Sequence, residues 1–230
     1  MIKNIKPGFC NRFENRDERD GGIFDAKVAA NGNSISKGFA EKNVPYLRAN
    51  SKSYCKIRVK QLAKGIKLIA SDIDGVLTAG EIIILHSGEE IKIWDVRDRY
   101  AFSAAKKADS GIKFAWITGR KSKQVALRAK EIGIDFLYQE CMSKKEALIE
   151  ICSKLKILPK NVLYIGDDIV DLPALRFAGI AVAPADAFSE VKKYSDIVTK
   201  KAGGKGVLRE IVDIVLRAKG LWHKANAKYL

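Results

Sequence analysis

Two aspartates stand two residues apart in Ser71-Asp72-Ile73-Asp74-Gly75-Val76-Leu77-Thr78, directly after the apolar run Leu68-Ile69-Ala70. Like charges this close repel, and half-burial at a strand end makes both costly. A cation offsets that cost, and oxygen ligands favour a hard ion such as Mg²⁺. An Asp beside Mg²⁺ can also attack phosphorus and form an aspartyl phosphate. Phosphoryl transfer is therefore the first chemistry this stretch suggests. That reaction needs, besides a nucleophile and a metal, a proton shuttle and cations or donors for the equatorial oxygens. Three further pieces complete the set: Thr118-Gly119-Arg120, Lys144, and Gly166-Asp167-Asp168-Ile169-Val170-Asp171. Each piece follows an apolar run or opens a helical pattern.

The elements that must position these residues alternate along the chain. Apolar runs predict strands over 66–70, 112–117, 136–138, 162–165, 180–183 and 197–198. Helical patterns fall over 98–108, 123–132, 145–155, 172–178 and 207–218. Residues 81–85 and 90–94, around His86-Ser87-Gly88-Glu89, read as a β-hairpin. Repeated βα units imply a mostly parallel sheet with helices on both faces, which binds ligands at the carboxyl ends of its strands. Residues 1–60 differ, with turn signals at Asp20-Gly21-Gly22, Asn31-Gly32-Asn33 and Val44-Pro45 and no lasting apolar periodicity. They predict a poorly ordered basic extension before a folded domain over 61–230.

Charge and composition narrow the classes. The chain carries 42 Lys and Arg against 27 Asp and Glu, a formal charge of +15. Of these, 14 basic and 6 acidic side chains lie in the first 64 residues, so the remainder is only mildly basic. Without an aromatic RNA-binding signature or a regular basic helix, nucleic acid is not expected as the main partner. The four cysteines form no C-x-x-C pair, and His86 and His223 lie far apart. Reduced thiols of a cytoplasmic protein fit this better than disulfides or a zinc site. No apolar run nears the roughly 18 residues of a membrane span, and residues 1–27 have no signal-peptide core.

In order and spacing, the four pieces resemble the haloacid dehalogenase superfamily of phosphatases over residues 65–221. That resemblance implies an α/β, three-layer Rossmann-like fold with a mostly parallel sheet. The hairpin lies where other members insert a cap, so no large cap domain is expected. The same resemblance implies Asp72 as nucleophile and Asp74 as the group that protonates the leaving oxygen and then activates water. Thr118, Gly119 and Lys144 would hold the phosphoryl group. Mg²⁺ would be bound by Asp72, Asp167 and the backbone carbonyl of Asp74, with Asp168 and Asp171 as outer or alternative ligands. Local sequence leaves Lys144 and Lys145 open; the separation from Gly166-Asp167-Asp168 matches the family better at Lys144.

Finer details are similar to one subfamily, the phosphatases of 3-deoxy-D-manno-octulosonate 8-phosphate (KDO 8-phosphate). They include Val96-Arg97-Asp98, Tyr138-Gln139, Asp171-Leu172-Pro173, Ala185-Asp186-Ala187 and Gly203-Gly204-Lys205-Gly206. This implies a sugar phosphate as the small-molecule substrate and a homotetramer built through the 81–94 hairpin. Ile82, Ile84, Ile91 and Ile93 would then pack between subunits rather than inside one chain. Arg97, Arg120, Arg128 and Lys205 are candidates to bind the phosphate and carboxylate. Arg97 could instead pair with Asp95 or Asp98, and Arg128 could simply be solvated. The chain departs from the subfamily at Arg99, Ala101 and Glu140, where relatives have glycine, and strain is expected wherever φ must be positive. A nonulosonate (sialic-type) 9-phosphate phosphatase and a non-catalytic module on the same fold are the alternatives.

Overall fold

The computed structural model describes residues 52–230, with side chains from residue 57. Six strands form one parallel sheet in the order β5-β4-β1-β6-β7-β8. They are β1 (Leu68–Ser71), β4 (Lys113–Ile117), β5 (Phe136–Tyr138), β6 (Val162–Ile165), β7 (Ile180–Ala183) and β8 (Ile197–Val198). Every residue of β1, β6 and β7 is buried, as expected for strands covered on both faces. Alternate side chains therefore feed two separate cores. Ile69, Phe114, Trp116, Leu163, Ile165 and Val182 face one way. Leu68, Ala70, Ala115, Ile117, Tyr164 and Ala181 face the other.

Helices α1 (Lys52–Lys64), α2 (Val96–Lys107), α3 (Lys123–Ile132), α7 (Val207–Ala218) and α8 (Trp222–Asn226) cover the first face. Helices α4 (Lys144–Leu155), α5 (Leu172–Phe177) and α6 (Ser189–Lys193) cover the second. Helix α7 shows how sequence drives this: Val207, Leu208, Ile211, Val212, Val215 and Leu216 fall on one stripe and are all buried. Helix α2 begins two residues earlier than the composition suggests, because Asp95 accepts from the Arg97 N–H at 2.7 Å and caps it. Buried Asp98 then ties α2 to the start of α7, accepting from the Arg209 N–H at 2.8 Å.

The expected extension over residues 1–60 needs correction at its end. Residues 52–60 belong to α1, whose Val59 and Ala63 are buried against the core; residues 1–51 lie outside the described residues. Helix α1 gives a weak sequence signal because it is mostly polar and meets the core through only Val59, Leu62 and Ala63 among its described side chains. The hairpin is present as β2 (Ile83–Ile84) paired antiparallel with β3 (Glu90–Ile91). Between Arg120 and Gly166 the chain makes only sheet strands and covering helices, so no large cap is inserted there. No helix among the described residues is long and apolar enough to cross a membrane.

The chain leaves β1 for β4 on one side and reaches β6 on the other, so the carboxyl ends of β4, β1 and β6 lie side by side. Thr118, Asp72 and Asp167 are thereby brought to neighbouring positions at the crevice where the strand order reverses. If α1 is part of the core, Val59→Asp buries an unpaired carboxylate and lowers stability by about 3 kcal/mol or more in urea denaturation. An unchanged midpoint would place α1 outside the cooperative unit.

Candidate active site

The site begins where β1 ends. The Asp72 N–H continues the sheet ladder to the Ile165 carbonyl at 3.0 Å, and its Oδ1 accepts from the Ile73 N–H at 2.6 Å. Lys144, the first residue of α4, is buried and donates to Asp72 Oδ2 at 2.6 Å and to Asp171 Oδ1 at 2.7 Å. Asp171 has no solvent exposure. It also accepts from the Tyr164 hydroxyl at 2.7 Å and from the N–H groups of Asp167 and Asp168 at 3.0 and 3.3 Å. Its acceptor capacity is thus spent on fixing Lys144 and the turn after β6.

Crowding shifts the titrations. Burial and the Asp171 carboxylate push Asp72 up to about 6, against the opposing pull of Lys144. Burial, Asp171 and Asp72 push Asp167 up to about 7. Burial works to neutralise Lys144, but Asp171 and Asp72 outweigh it and hold the ammonium above its ordinary value. One cation therefore serves three carboxylates, whose oxygens lie within 4.8 Å of one another. Asp167 Oδ1 is buried with no hydrogen-bond partner among the described residues. An unpaired buried carboxylate oxygen inside an all-oxygen cluster suits a hard divalent cation. Asp168 accepts from the Ile169 N–H at 2.7 Å and lies at the cleft.

A cleft of about 340 Å³ opens above this cluster, lined by Asp72, Asp74, Gly75, Asp167, Asp168 and Asp186 among others. The backbone packing beneath it is close. A Cβ at Gly75, where φ is +81°, would fall 2.0 Å from Asp167 Oδ2. One at Gly203 would fall 2.2 Å from the Gly75 carbonyl oxygen. The Gly203–Gly206 turn thus lies directly on the loop carrying Asp72 and Asp74. It is pinned by Gly203 N–H to Asp186 at 2.8 Å and by Gly204 N–H to the Val76 carbonyl at 3.0 Å.

The residues expected from sequence separate into two groups. Asp72, Asp74, Asp167 and Asp168 line the cleft, and Lys144 and Asp171 are bonded beneath Asp72. Thr118 is buried at the adjacent strand end, with its Oγ1 accepting from the Arg120 N–H at 3.2 Å, and Gly119 follows it at the surface. Arg120 reaches the site, with Nε 3.8 Å from Asp74 Oδ2 and Nη2 2.9 Å from Glu90 Oε1. The other cations proposed for the substrate lie elsewhere in the single chain. Arg97 is bound to Asp95, its Nε donating at 2.9 Å, because the capping carboxylate is its nearest partner. Arg128 pairs with Glu131 one turn along α3 at 2.6 Å and borders a small separate cavity. Lys205 is exposed on the glycine turn and does not line the cleft.

The three glycine departures also separate. Arg99 and Ala101 sit within α2 at no backbone cost, and Arg99 lies 3.5 Å from Glu131. Glu140 has φ +54°, so the strain falls there, and its side chain pairs with Lys121 at 2.9 Å. Two participants have no counterpart among the residues expected from sequence, Tyr164 and Lys92, and Asp186 gains a partner in the Gly203 N–H. Tyr164 read as one more apolar strand residue. Lys92 bonds Asp74 Oδ1 from the hairpin. Its signal was the alternation Glu90-Ile91-Lys92-Ile93-Trp94, in which one face is polar.

Comparison with known proteins finds close relatives of the chain and of its fold. A family model described as haloacid dehalogenase-like hydrolase matches residues 134–211. The chain is 42% identical over 166 residues to a 3-deoxy-D-manno-octulosonate 8-phosphate phosphatase of Escherichia coli (strain K12), covering 72% of this chain and 87% of that one. A crystal structure of the Moraxella catarrhalis enzyme of that name, in complex with magnesium, phosphate and KDO, superposes with a TM-score of 0.72 at 39% identity. It covers 75% of this chain and 98% of the other. The cobalt-bound Haemophilus influenzae phosphatase gives a TM-score of 0.67 at 35% identity, covering 70% and 94% of the two chains.

The raised carboxyls have a measurable consequence. A carboxyl whose folded pKa lies above its unfolded value favours the folded state at low pH and loses that contribution as pH rises through the folded value. Asp72 and Asp167 titrate at about 6 and 7, and buried Asp98, pushed up to about 7 chiefly by burial, acts in the same direction. In chelator, thermal stability should therefore fall between about pH 4 and pH 7, by roughly 5 °C or more. Melting curves across this range check it, and flat stability would contradict the crowding.

Proposed function

This chain belongs to the 3-deoxy-D-manno-octulosonate 8-phosphate phosphatases of the haloacid dehalogenase-like hydrolases and is a phosphoric monoester hydrolase, and we propose that it releases KDO from its 8-phosphate through an aspartyl phosphate. The observation that carries the reading is Asp72, gripped by Lys144 and opening onto the cleft beside the unpartnered oxygen of Asp167. A carboxylate so placed is oriented to attack rather than buried as a structural charge.

In the first half-reaction an Asp72 oxygen attacks phosphorus and the bond from phosphorus to the sugar oxygen breaks. The electron pair leaves with that oxygen, which takes a proton from Asp74. In the second, water attacks phosphorus and gives its proton to Asp74; the bond to Asp72 breaks and the carboxylate is restored. In this reading Lys144, Thr118 and the Gly119 N–H donate to the phosphoryl oxygens. Mg²⁺ held by Asp72, Asp167 and the Asp74 carbonyl supplies positive charge where the phosphoryl group is strongly negative. Asp171 holds Lys144 in register from behind. At the rim, Arg120 is the candidate for the carboxylate of the sugar acid.

The hairpin supplies the assembly reading. Ile82, Ile84, Ile91 and Ile93 are 49%, 66%, 40% and 69% exposed on the single chain, an apolar face too costly to leave in water. We read it as the contact of a homotetramer. Ile84→Glu with Ile93→Glu should release monomers in analytical ultracentrifugation; an unchanged sedimentation coefficient would exclude the hairpin as the contact.

Asp72→Asn should leave the fold intact and cut turnover by about a thousandfold or more in the presence of Mg²⁺. Retained turnover would remove Asp72 as nucleophile. Side-by-side kcat/KM values should favour KDO 8-phosphate over a nonulosonate 9-phosphate, and the reverse order would reassign the substrate.

A further inference from the structure

The hairpin is built inside out. Along its second arm Ile91 and Ile93 face away from the protein, whereas Glu90, Lys92 and Trp94 face inward. The inward face meets the catalytic cleft. The Lys92 side chain is only 1% exposed, although lysine is among the residues least often buried. Its Nζ bonds Asp74 Oδ1 and lies 3.4 Å from Glu90 Oε1. Arg120 closes the ring, bonding Glu90 at 2.9 Å and approaching Asp74 Oδ2 at 3.8 Å. Two cations and two carboxylates thus alternate around a neutral ring, which offsets the cost of burying the ammonium.

The ring treats the two oxygens of Asp74 differently. Oδ1 is taken by Lys92, with the Thr78 hydroxyl at 3.5 Å. Oδ2 has only the longer approach of Arg120 and is the oxygen left for proton exchange. We propose that Lys92 is a positioning residue for Asp74: from the inward face of the hairpin it fixes one carboxyl oxygen and so presents the other to the leaving group. The inference rests on the proposed role of Asp74 as proton donor. It also makes the orientation of that donor depend on the hairpin, the element whose opposite face carries the exposed isoleucines.

The chemistry of the leaving group supplies the test. An alkoxide must be protonated as it departs, whereas a stabilised phenolate hardly needs it, so misplacing the donor penalises basic leaving groups selectively. The substrates are carboxylate-free monoesters, from 4-nitrophenyl phosphate through phenyl phosphate to a simple alkyl phosphate, with KDO 8-phosphate alongside. They are compared as kcat/KM for the wild type and for Lys92→Met. The expected loss is no more than about threefold for 4-nitrophenyl phosphate, rising to about thirtyfold or more for the alkyl ester. Retained turnover of the nitrophenyl ester shows that the variant is folded. A uniform loss across the series would make Lys92 structural or phosphate-binding, and no loss would give it no role in the reaction. A loss confined to KDO 8-phosphate would make it a sugar ligand. Each of these three results overturns the proposal. Failure of the phosphatase reading itself would show separately, as wild-type protein inactive on the whole series.

Discussion

One ammonium among three carboxylates is the constraint around which the protein is arranged. Lys144 bridges Asp72 and Asp171 below the cleft, and without it two buried negative charges would face each other within hydrogen-bonding distance of nothing positive. Breaking a buried pair by removing one partner is costly because the survivor stays buried and uncompensated. The surrounding structure serves this contact. The first turn of α4 delivers the lysine, β1 delivers Asp72, and Tyr164 with two backbone N–H groups holds Asp171 still. The cluster remains short of positive charge, and Asp167 keeps an unpaired oxygen. The same deficit that raises the carboxyl titrations is what makes the floor receptive to a divalent cation.

Close backbone packing keeps the charges at these separations. Gly75 lies against the Asp167 carboxylate and Gly203 lies against the Gly75 carbonyl, so three loops from distant parts of the sequence stack without intervening side chains. A methyl group at either position would push the carboxylates apart. The Gly203–Gly206 turn is therefore part of the support for the catalytic loop, even though its lysine points to solvent.

Period-2 alternation gives the hairpin two unlike faces. Its isoleucines face outward and its charged residues face the cleft, the reverse of a strand packed onto its own domain. The usual rule puts apolar residues inward because that is where water is excluded. Here the inward direction is an active site, and the outward direction offers the apolar surface that a second copy can cover.

The clustering of the candidate residues was largely legible from local sequence. Asp72, Asp74, Thr118, Lys144 and Asp167 follow strands or open helices, and strand ends in a parallel sheet must meet at one edge. The sheet itself was legible because apolar runs between helical patterns have few other ways to be buried. What tertiary structure alone decided concerns partners that depend on direction. Asp171 is a fully buried anchor for Lys144, and Arg97 and Arg128 turn to Asp95 and Glu131. Lys92 reaches Asp74 across 18 residues, and α1 joins the core through Val59, Leu62 and Ala63. Sequence specifies which residues can carry charge and which prefer burial. It does not specify where a long flexible side chain ends, because that depends on which opposite charge lies nearest once the backbone has closed.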